Sequence, residues 1–387
     1  MTYFTSHDGK QELNHIHSIL KDLFLIPVNY INVLYLHAPF CFKRCSFCAY
    51  SAVVPVNPEE IKYFYECVLP GQIEFYSDAL KAVPFQQVFF GGGTPNLISG
   101  IMLDELFAGI PGFEQIPQKM IEVSPGTLTE EHIKVLSKWK FTLVSMGVQT
   151  LDEAVLKKNN RSFVGIERLH TLCSHLNDAD ILTSIDLLAL INHGDISDLD
   201  QVRDDLDQAM SYIYPVEIVL HINYRQELPV SLLQAIIDLI REMTVKYPAY
   251  RCVNSLLAEE DAQEYHSKYP AFRLMRENPS YTFYMQPLVP RPGTYGHNML
   301  ALGQYKGISL ISDYLDHSFY LSQKRYKVRT SDSDPRYFDK KKQDFLQYQK
   351  IKQQLGLQYP EIAEEPFVNE SDYKEYKKII QKLADYL

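Results

Sequence analysis

The chain has 387 residues, 46% of them hydrophobic and 22% charged, with a net charge of −10. That balance excludes a disordered protein and a single small domain, and it suits about two domains with a sizeable core. The negative charge gives no general attraction to nucleic acid or acidic lipid, so no specific nucleic-acid partner is expected.

Taken in order, residues 1–30 predict a helical lead-in, with Leu13, Ile16, Ile19 and Leu20 at helical spacing before Pro27. The polar start, Met1 to Lys10, lacks the basic-then-apolar pattern of a secretory leader. No apolar run reaches the roughly 18 residues of a membrane span. From residue 32 short β-rich runs alternate with helical stretches. The expected strands are Asn32–His37, Gln87–Phe90, Met120–Val123, Leu143–Gly147, Leu182–Leu188 and Glu217–Ile222. Helical patterns lie between them, near Pro58–Ala82, Ile101–Ile110, Glu130–Lys140, Glu153–Lys158, Ile166–Leu176 and Asp200–Tyr212. Such alternation predicts an α/β fold with a parallel sheet and right-handed crossovers.

The chemistry-bearing residues fall just after these strands. Behind the first comes Tyr35-Leu-His-Ala-Pro-Phe-Cys41-Phe-Lys-Arg-Cys45-Ser-Phe-Cys48-Ala-Tyr50. Three thiolates in one short loop cannot all pair as disulfides, but they can converge on one inorganic centre. An iron–sulfur cubane normally takes four cysteines, so three would leave one iron open. Zinc is the competing reading, with His37 as a fourth ligand, although no second Cys-x-x-Cys is present. Cys67, Cys173 and Cys252 stand singly and read as buried reduced thiols, which fit a reducing cytosol. After the second strand, Gly91-Gly92-Gly93-Thr94-Pro95 suits a sharp turn or close backbone approach to a ligand. Glu122, near the end of the third strand, can accept two hydrogen bonds from a ribose diol. Asp186 sits inside an apolar strand and would be expensive to bury without partners, so it is expected at a mouth lined by polar groups.

The Cys-x3-Cys-x2-Cys loop at 41–48 resembles the signature of radical S-adenosylmethionine (SAM) enzymes. The longer Tyr-x-His-x-Pro-Phe-Cys string is similar to the branch around oxygen-independent coproporphyrinogen III oxidase. The resemblance covers about residues 32–225. It implies a partial (β/α)6 barrel with a mainly α C-terminal accessory domain, divided as lead-in 1–30, core barrel 31–227 and accessory domain 228–387. It implies a [4Fe–4S] cluster on Cys41, Cys45 and Cys48, and SAM held by Gly91, Gly92, Gly93, Thr94, Glu122, Gln149, Arg161 and Asp186. Gln149 belongs to a Gly-Val-Gln segment, and Arg161 matches the arginine that follows a helix later. Tyr35 matches the oxidase tyrosine before the cluster and is the expected catalytic side chain. A reducing donor such as flavodoxin or ferredoxin and a cytoplasmic setting follow from the same likeness.

Two departures from the oxidase pattern stand out. Tyr50 occupies the place of an extra cysteine, and Leu190-Ile-Asn-His-Gly194 replaces the usual Gly-Leu-Pro after the aspartate. Beyond 228, Leu232–Tyr247 predicts a helix and Tyr281–Leu288 a strand, and Leu302-Gly303-Gln304-Tyr305 resembles a Gly-x-Gly segment of the family. The stretch 324–352 is basic and rich in aromatics, with Lys340, Lys341 and Lys342 in a row. It reads as a solvated helical face or as a surface for a polycarboxylate, RNA or an acidic protein. The family offers three functions: a tetrapyrrole oxidase, a methyl- or methylene-transferring enzyme using two SAM molecules, and a haem-binding chaperone without turnover.

Overall fold

A computed structural model describes residues 22, 31–48, 52–223, 229–255, 271–276, 297–303, 309–312, 317–322, 325–330, 371, 374, 375 and 378. The lead-in helix, Tyr50, the Tyr281–Leu288 strand and Lys340 to Lys342 lie outside the described residues.

Six strands appear where the apolar runs predict them: β1 (Ile31–Ala38), β2 (Phe85–Gly92), β3 (Gln118–Val123), β4 (Leu143–Gln149), β5 (Leu182–Ala189) and β6 (Glu217–Ile222). Neighbours pair in parallel in sequence order. The helices between them begin where short polar side chains take up free N–H groups. Asn57 accepts from Glu60, Ser99 from Met102, Thr129 from His132 and Asp152 from Val155. The sheet is not closed, so the architecture is an incomplete (β/α)6 barrel.

The sheet also continues past residue 227. After the helix Val230–Lys246 come β7 (Tyr250–Ser255), β8 (Ala271–Arg276), β9 (His297–Leu302), β10 (Ser309–Ser312), β11 (His317–Ser322) and β12 (Arg325–Thr330). The first four join the main sheet, in the order β10-β9-β1-β2-β3-β4-β5-β6-β8-β7, while β11 and β12 form a hairpin. β9 lies parallel to β1, and β8 antiparallel to β6. The described part of the accessory region thus holds one long helix, helical positions at 371, 374, 375 and 378, and six strands. Its short apolar runs are completed by edges of the core sheet, which local periodicity does not reveal.

Period-two alternation splits the strands into two faces. Leu34, Leu36, Phe90, Ile121, Val144, Ile185 and Ile218 join the large core beneath the helices. Val33, Phe89, Met120 and Leu143 form a small cluster on the other, concave face, with Tyr35 and Leu182 against it. That small cluster is the floor of the site. Further along the same face the apolar residues give way to His37, Gly91, Glu122, Ser145, Asp186 and His221.

The helical stretch 58–82 forms as expected, but a π-turn, Phe64–Val68, interrupts it. Cys67 falls within that turn and comes out exposed instead of buried. Cys173 is buried and Cys252 partly so.

Candidate active site

The cysteine loop leaves β1 and closes on itself. Cys41 donates its backbone N–H to Val53 O at 3.0 Å, and Val53 donates back to Pro39 O at 2.8 Å. Its middle is pinned to the turn after the helix Glu153–Lys158. Ser46 N–H reaches Asn159 O at 3.3 Å, Ser46 Oγ bonds the Asn159 side chain, and Asn160 Nδ2 donates to Arg44 O at 3.1 Å. The loop's last cysteine, Cys48, donates its N–H to Cys45 O at 3.2 Å. None of the three cysteines is in a disulfide, and all are partly buried.

Arg161 enters the same loop. Its Nη1 lies 3.6 Å from Cys45 Sγ and its Nη2 donates to Gly147 O. Burial pushes the Cys41 thiol up, a bond from the Thr94 hydroxyl opposes this, nearby Cys48 and Cys45 add to the rise, and Arg161 opposes it. Cys48 and Cys45 thus lie close enough to Cys41 to disfavour its thiolate. Among the described residues no group of His, Cys, Asp and Glu is arranged to hold a single metal ion. A cubane, with each cysteine on a different iron, spaces its ligands more widely.

The glycine segment is zipped to the start of this loop. Parallel pairing sets His37 opposite Gly91 and Ala38 opposite Gly92. Gly93 N–H then donates to Ala38 O at 2.6 Å and Thr94 N–H to Phe40 O at 2.8 Å. Thr94 Oγ1 stands 3.5 Å from Cys41 Sγ. A side chain has no room here. Gly92 has φ +108°, and a Cβ on it would come within 2.5 Å of His37 Nδ1. One on Gly93 would collide with Phe40 O, and one on Gly91 would lie 2.9 Å from a Glu122 carboxylate oxygen. The glycine cradle is thus packed tightly against the start of the cysteine loop, and the donor set beside it, three thiols, suits an iron–sulfur cluster.

Opposite the cradle stands a row of polar groups from adjacent strands. Glu122 registers with Ser145, and Gly147 with Asp186. Ser145 Oγ donates to Asp186 Oδ2 at 3.0 Å, and His221 Nε2 lies 3.7 Å from Asp186 Oδ1. Gln149 ends β4 at φ +76° after a register shift, and its amide lies near Gly147. Tyr35 sits lower, its ring stacked on Phe89 at 5.4 Å and its hydroxyl 3.0 Å from His37 Nδ1. Burial lowers the His37 pKa to about 4, so its ring is neutral near pH 7.

The expected site residues lie along this rim, apart from Tyr35, which packs against the apolar floor. Ser145, His37 and His221 join it although the sequence reading gave none of them a role in binding SAM. Strand parity could have found them, since they share the face of Glu122 and Asp186. The altered loop after Asp186 has its own wiring. Leu190 takes φ +62°, and the N–H groups of Asn192, His193 and Gly194 converge on the buried Asp198 carboxylate at 2.9–3.2 Å. Lys158 holds it from outside, with Nζ 2.8 Å from Asn192 Oδ1. Gly303, at the end of β9, packs on the His37 backbone, and its N–H donates to Gln72 Oε1 at 2.7 Å.

The sequence profile of the Radical SAM superfamily matches residues 35–206. A heme chaperone HemW of Lactococcus lactis is 31% identical over 139 residues, covering 35% of this chain and 35% of that protein. An oxygen-independent coproporphyrinogen III oxidase of Helicobacter pylori is 35% identical over 169 residues, covering 41% of this chain and 36% of its own length. The match thus spans about a third of either relative. Among solved structures, coproporphyrinogen III oxidase (HemN) of Escherichia coli superposes with a TM-score of 0.59 at 15% identity, over 87% of this chain and 82% of that one. At that identity the likeness is one of fold, and it agrees with the open barrel described above.

Proposed function

We propose, from the match of residues 35–206 to the Radical SAM superfamily, that the chain binds a [4Fe–4S] cluster and SAM and cleaves SAM reductively to act on a tetrapyrrole-class substrate. When bound, the cluster supplies the electron that breaks the sulfonium C–S bond and yields a hydrogen-abstracting 5′-deoxyadenosyl radical. The observation that carries this reading is the convergence of Cys41, Cys45, Cys48, Arg161 and the Gly91–Thr94 cradle at one rim.

The chain's own residues have separable tasks. Cys41, Cys45 and Cys48 hold the cluster, and Arg161 offsets the charge gathered on the sulfurs. Carbonyl groups at the glycine turn suit the ammonium of the methionine moiety. Glu122 and Asp186 suit hydroxyl groups of the ribose, with Ser145 orienting Asp186. Tyr35, bonded to a neutral His37, stands where a substrate would cover the floor, and a reducing partner protein supplies electrons from outside.

Two relatives of this chain carry names that share a tetrapyrrole, one an oxidase of coproporphyrinogen III and the other a heme chaperone. Because Tyr50 and the 190–194 loop depart from the oxidase pattern, coproporphyrinogen III should be a poor substrate. Haem carriage is the second reading, favoured by the similarity to the heme chaperone.

Anaerobic reconstitution tests the proposal. About four iron and four sulfide per chain are expected, with cluster loss on replacing Cys41, Cys45 or Cys48 by Ala, and with 5′-deoxyadenosine and methionine formed on reduction. Stoichiometric zinc with negligible iron would sink the cluster assignment. Tight stoichiometric haem binding, with no SAM cleavage under any reductant, would favour the carrier.

A further inference from the structure

Three carboxylates stand on the concave face of the barrel strands: Glu122 on β3, Asp186 on β5 and Glu217 on β6. Glu217 belongs there because Ile218 and Leu220, which alternate with it, lie in the main core. Strands β1 to β6 carry one lysine and no arginine. That lysine, Lys119, is turned to the helix side, with Nζ 5.6 Å from the centre of the Phe113 ring. Arg161 reaches the rim from a turn and is engaged with Gly147 O and Cys45 Sγ. To a substrate bearing carboxylates, the barrel strands therefore offer repulsion and no Lys or Arg of their own.

The cation comes from beyond residue 227. Arg273 lies on β8 between Phe272 and Leu274, both in the main core, so alternation puts it on the concave face. Pairing sets it in one row with the site: Gly147 opposite Asp186, Asp186 opposite Val219, and Val219 opposite Arg273. At about 4.8 Å per strand, Arg273 stands roughly 10 Å along that row from Asp186. Its side chain is 14% exposed, comparable with 19% for Asp186 and 24% for His221.

Glu217 accounts for where this guanidinium sits but not for its hydrogen bonds. Arg273 Nη1 lies 3.2 Å from Glu217 Oε1, yet neither carboxylate oxygen accepts a hydrogen bond. Ser184 Oγ, opposite Glu217 in the sheet, is also buried and unpartnered. A buried acid that holds the cation by charge keeps it on this face and leaves donors of its fork for a second acceptor. A guanidinium presents five N–H donors in one plane and takes a carboxylate by two of them.

We infer that Arg273 binds a carboxylate of the substrate inside the barrel and is the specificity-determining cation of the site. The inference rests on the proposed action on a tetrapyrrole-class substrate, whose propionate side chains are such carboxylates. A strand from the accessory region thus completes the substrate site as well as the sheet.

The test uses the full-length, reconstituted protein and two fluorescent probes, mesoporphyrin IX with its propionates free and the dimethyl ester of the same compound. Wild type should bind the diacid about tenfold more tightly than the ester, the loss expected for one charged hydrogen-bonding partner. Arg273→Lys keeps a charge beside Glu217 but lacks the planar fork. It should weaken binding of the diacid about tenfold and leave the ester unchanged. Loss of the cation alone would strand a buried acid, so Glu217→Gln combined with Arg273→Met serves as the full deletion, and it should bind diacid and ester alike. A merely structural role would weaken both probes together. A preference for the diacid that survives in either variant, or an equal loss of both probes, would overturn the inference. The wild-type comparison decides the matter if neither variant folds, since equal affinity for diacid and ester excludes a carboxylate-binding cation. Wild type that binds neither probe would defeat the tetrapyrrole reading itself, a result distinct from a bound diacid that Arg273→Lys leaves unchanged.

Discussion

His37 lies between two strands and two close-packed glycines, so burial outweighs the hydration of a charged ring. Its folded pKa of about 4 lies below the ordinary 6.5. The unfolded chain thus takes up a proton first as the pH falls. Stability from the neutral ring is complete above about pH 6.5 and is lost progressively towards pH 4, a change of up to about 3 kcal/mol. Urea unfolding of the unloaded protein at pH 7.5 and pH 4.5 should show that loss, and His37→Gln should flatten the difference. Parallel pH profiles would assign the titration elsewhere. At the opposite rim, Glu122→Ala and Asp186→Ala should each weaken SAM binding by about 1.5–3 kcal/mol while sparing the cluster, the range for hydrogen bonds to a charged group. Anaerobic calorimetry with unchanged affinity in both variants would count against these roles. Glu122 and Asp186 were legible as a carboxylate at a strand end and an aspartate in an apolar run. Ser145 and His221 were not, because a serine or histidine in a strand carries no comparable penalty to mark it.

Among the elements, the end of β2 is the tightest. Gly93→Ala would drive a methyl against the Phe40 and Ala38 carbonyls, which are held by the Thr94 and Gly93 N–H groups, and should cost about 1–3 kcal/mol by overpacking. Gly71 offers a control, since it lies in the helix Leu69–Phe75 with nothing within 4 Å of an added Cβ. Gly71→Ala should stabilise by about 0.5–1 kcal/mol, the cost of glycine within a helix. Thermal melts of the two variants should shift in opposite directions, and equal shifts would refute the argument. The six barrel strands were legible because each pairs a β-rich apolar run with helical periodicity on either side. The π-turn was not. One added residue leaves composition untouched and changes only which carbonyl each N–H meets, and Cys67, expected inside, lies outside.

For the molecule as a whole, the position of β9 counts most. A boundary at 227 was drawn where the composition changes, yet β1 and β6, the outer strands of the barrel, each have a partner from beyond it. Arg276 N–H donates to Val216 O at 2.9 Å, and Arg273 pairs with the buried Glu217 carboxylate at 3.2 Å. Removing the arginine leaves a buried charge without its partner, an effect of about 3–5 kcal/mol. A chain truncated after residue 227 should therefore aggregate or elute as a broad oligomer, with no cooperative melt. A monomeric, cooperatively melting 1–227 fragment would show the outer strands to be dispensable. Pairing between strands far apart in sequence leaves little local trace, and this is why the outer strands escaped the sequence.

The pairing of β1 with β9 also sets an order of events during synthesis. β1 and the cysteine loop leave the ribosome early, but His297, the first residue of β9, follows Ala38 by 297 − 38 = 259 positions. At about 5–20 residues per second that is a wait of roughly 13–50 s. Throughout it one edge of β1 has no partner, and the loop hangs from a strand that is not yet fixed. Metal delivered then would meet three thiols not yet held by their neighbours. Under the proposed cluster reading, insertion would follow the pairing of β9, and the earlier nascent chain would be the form most exposed to stray copper, zinc and oxidants.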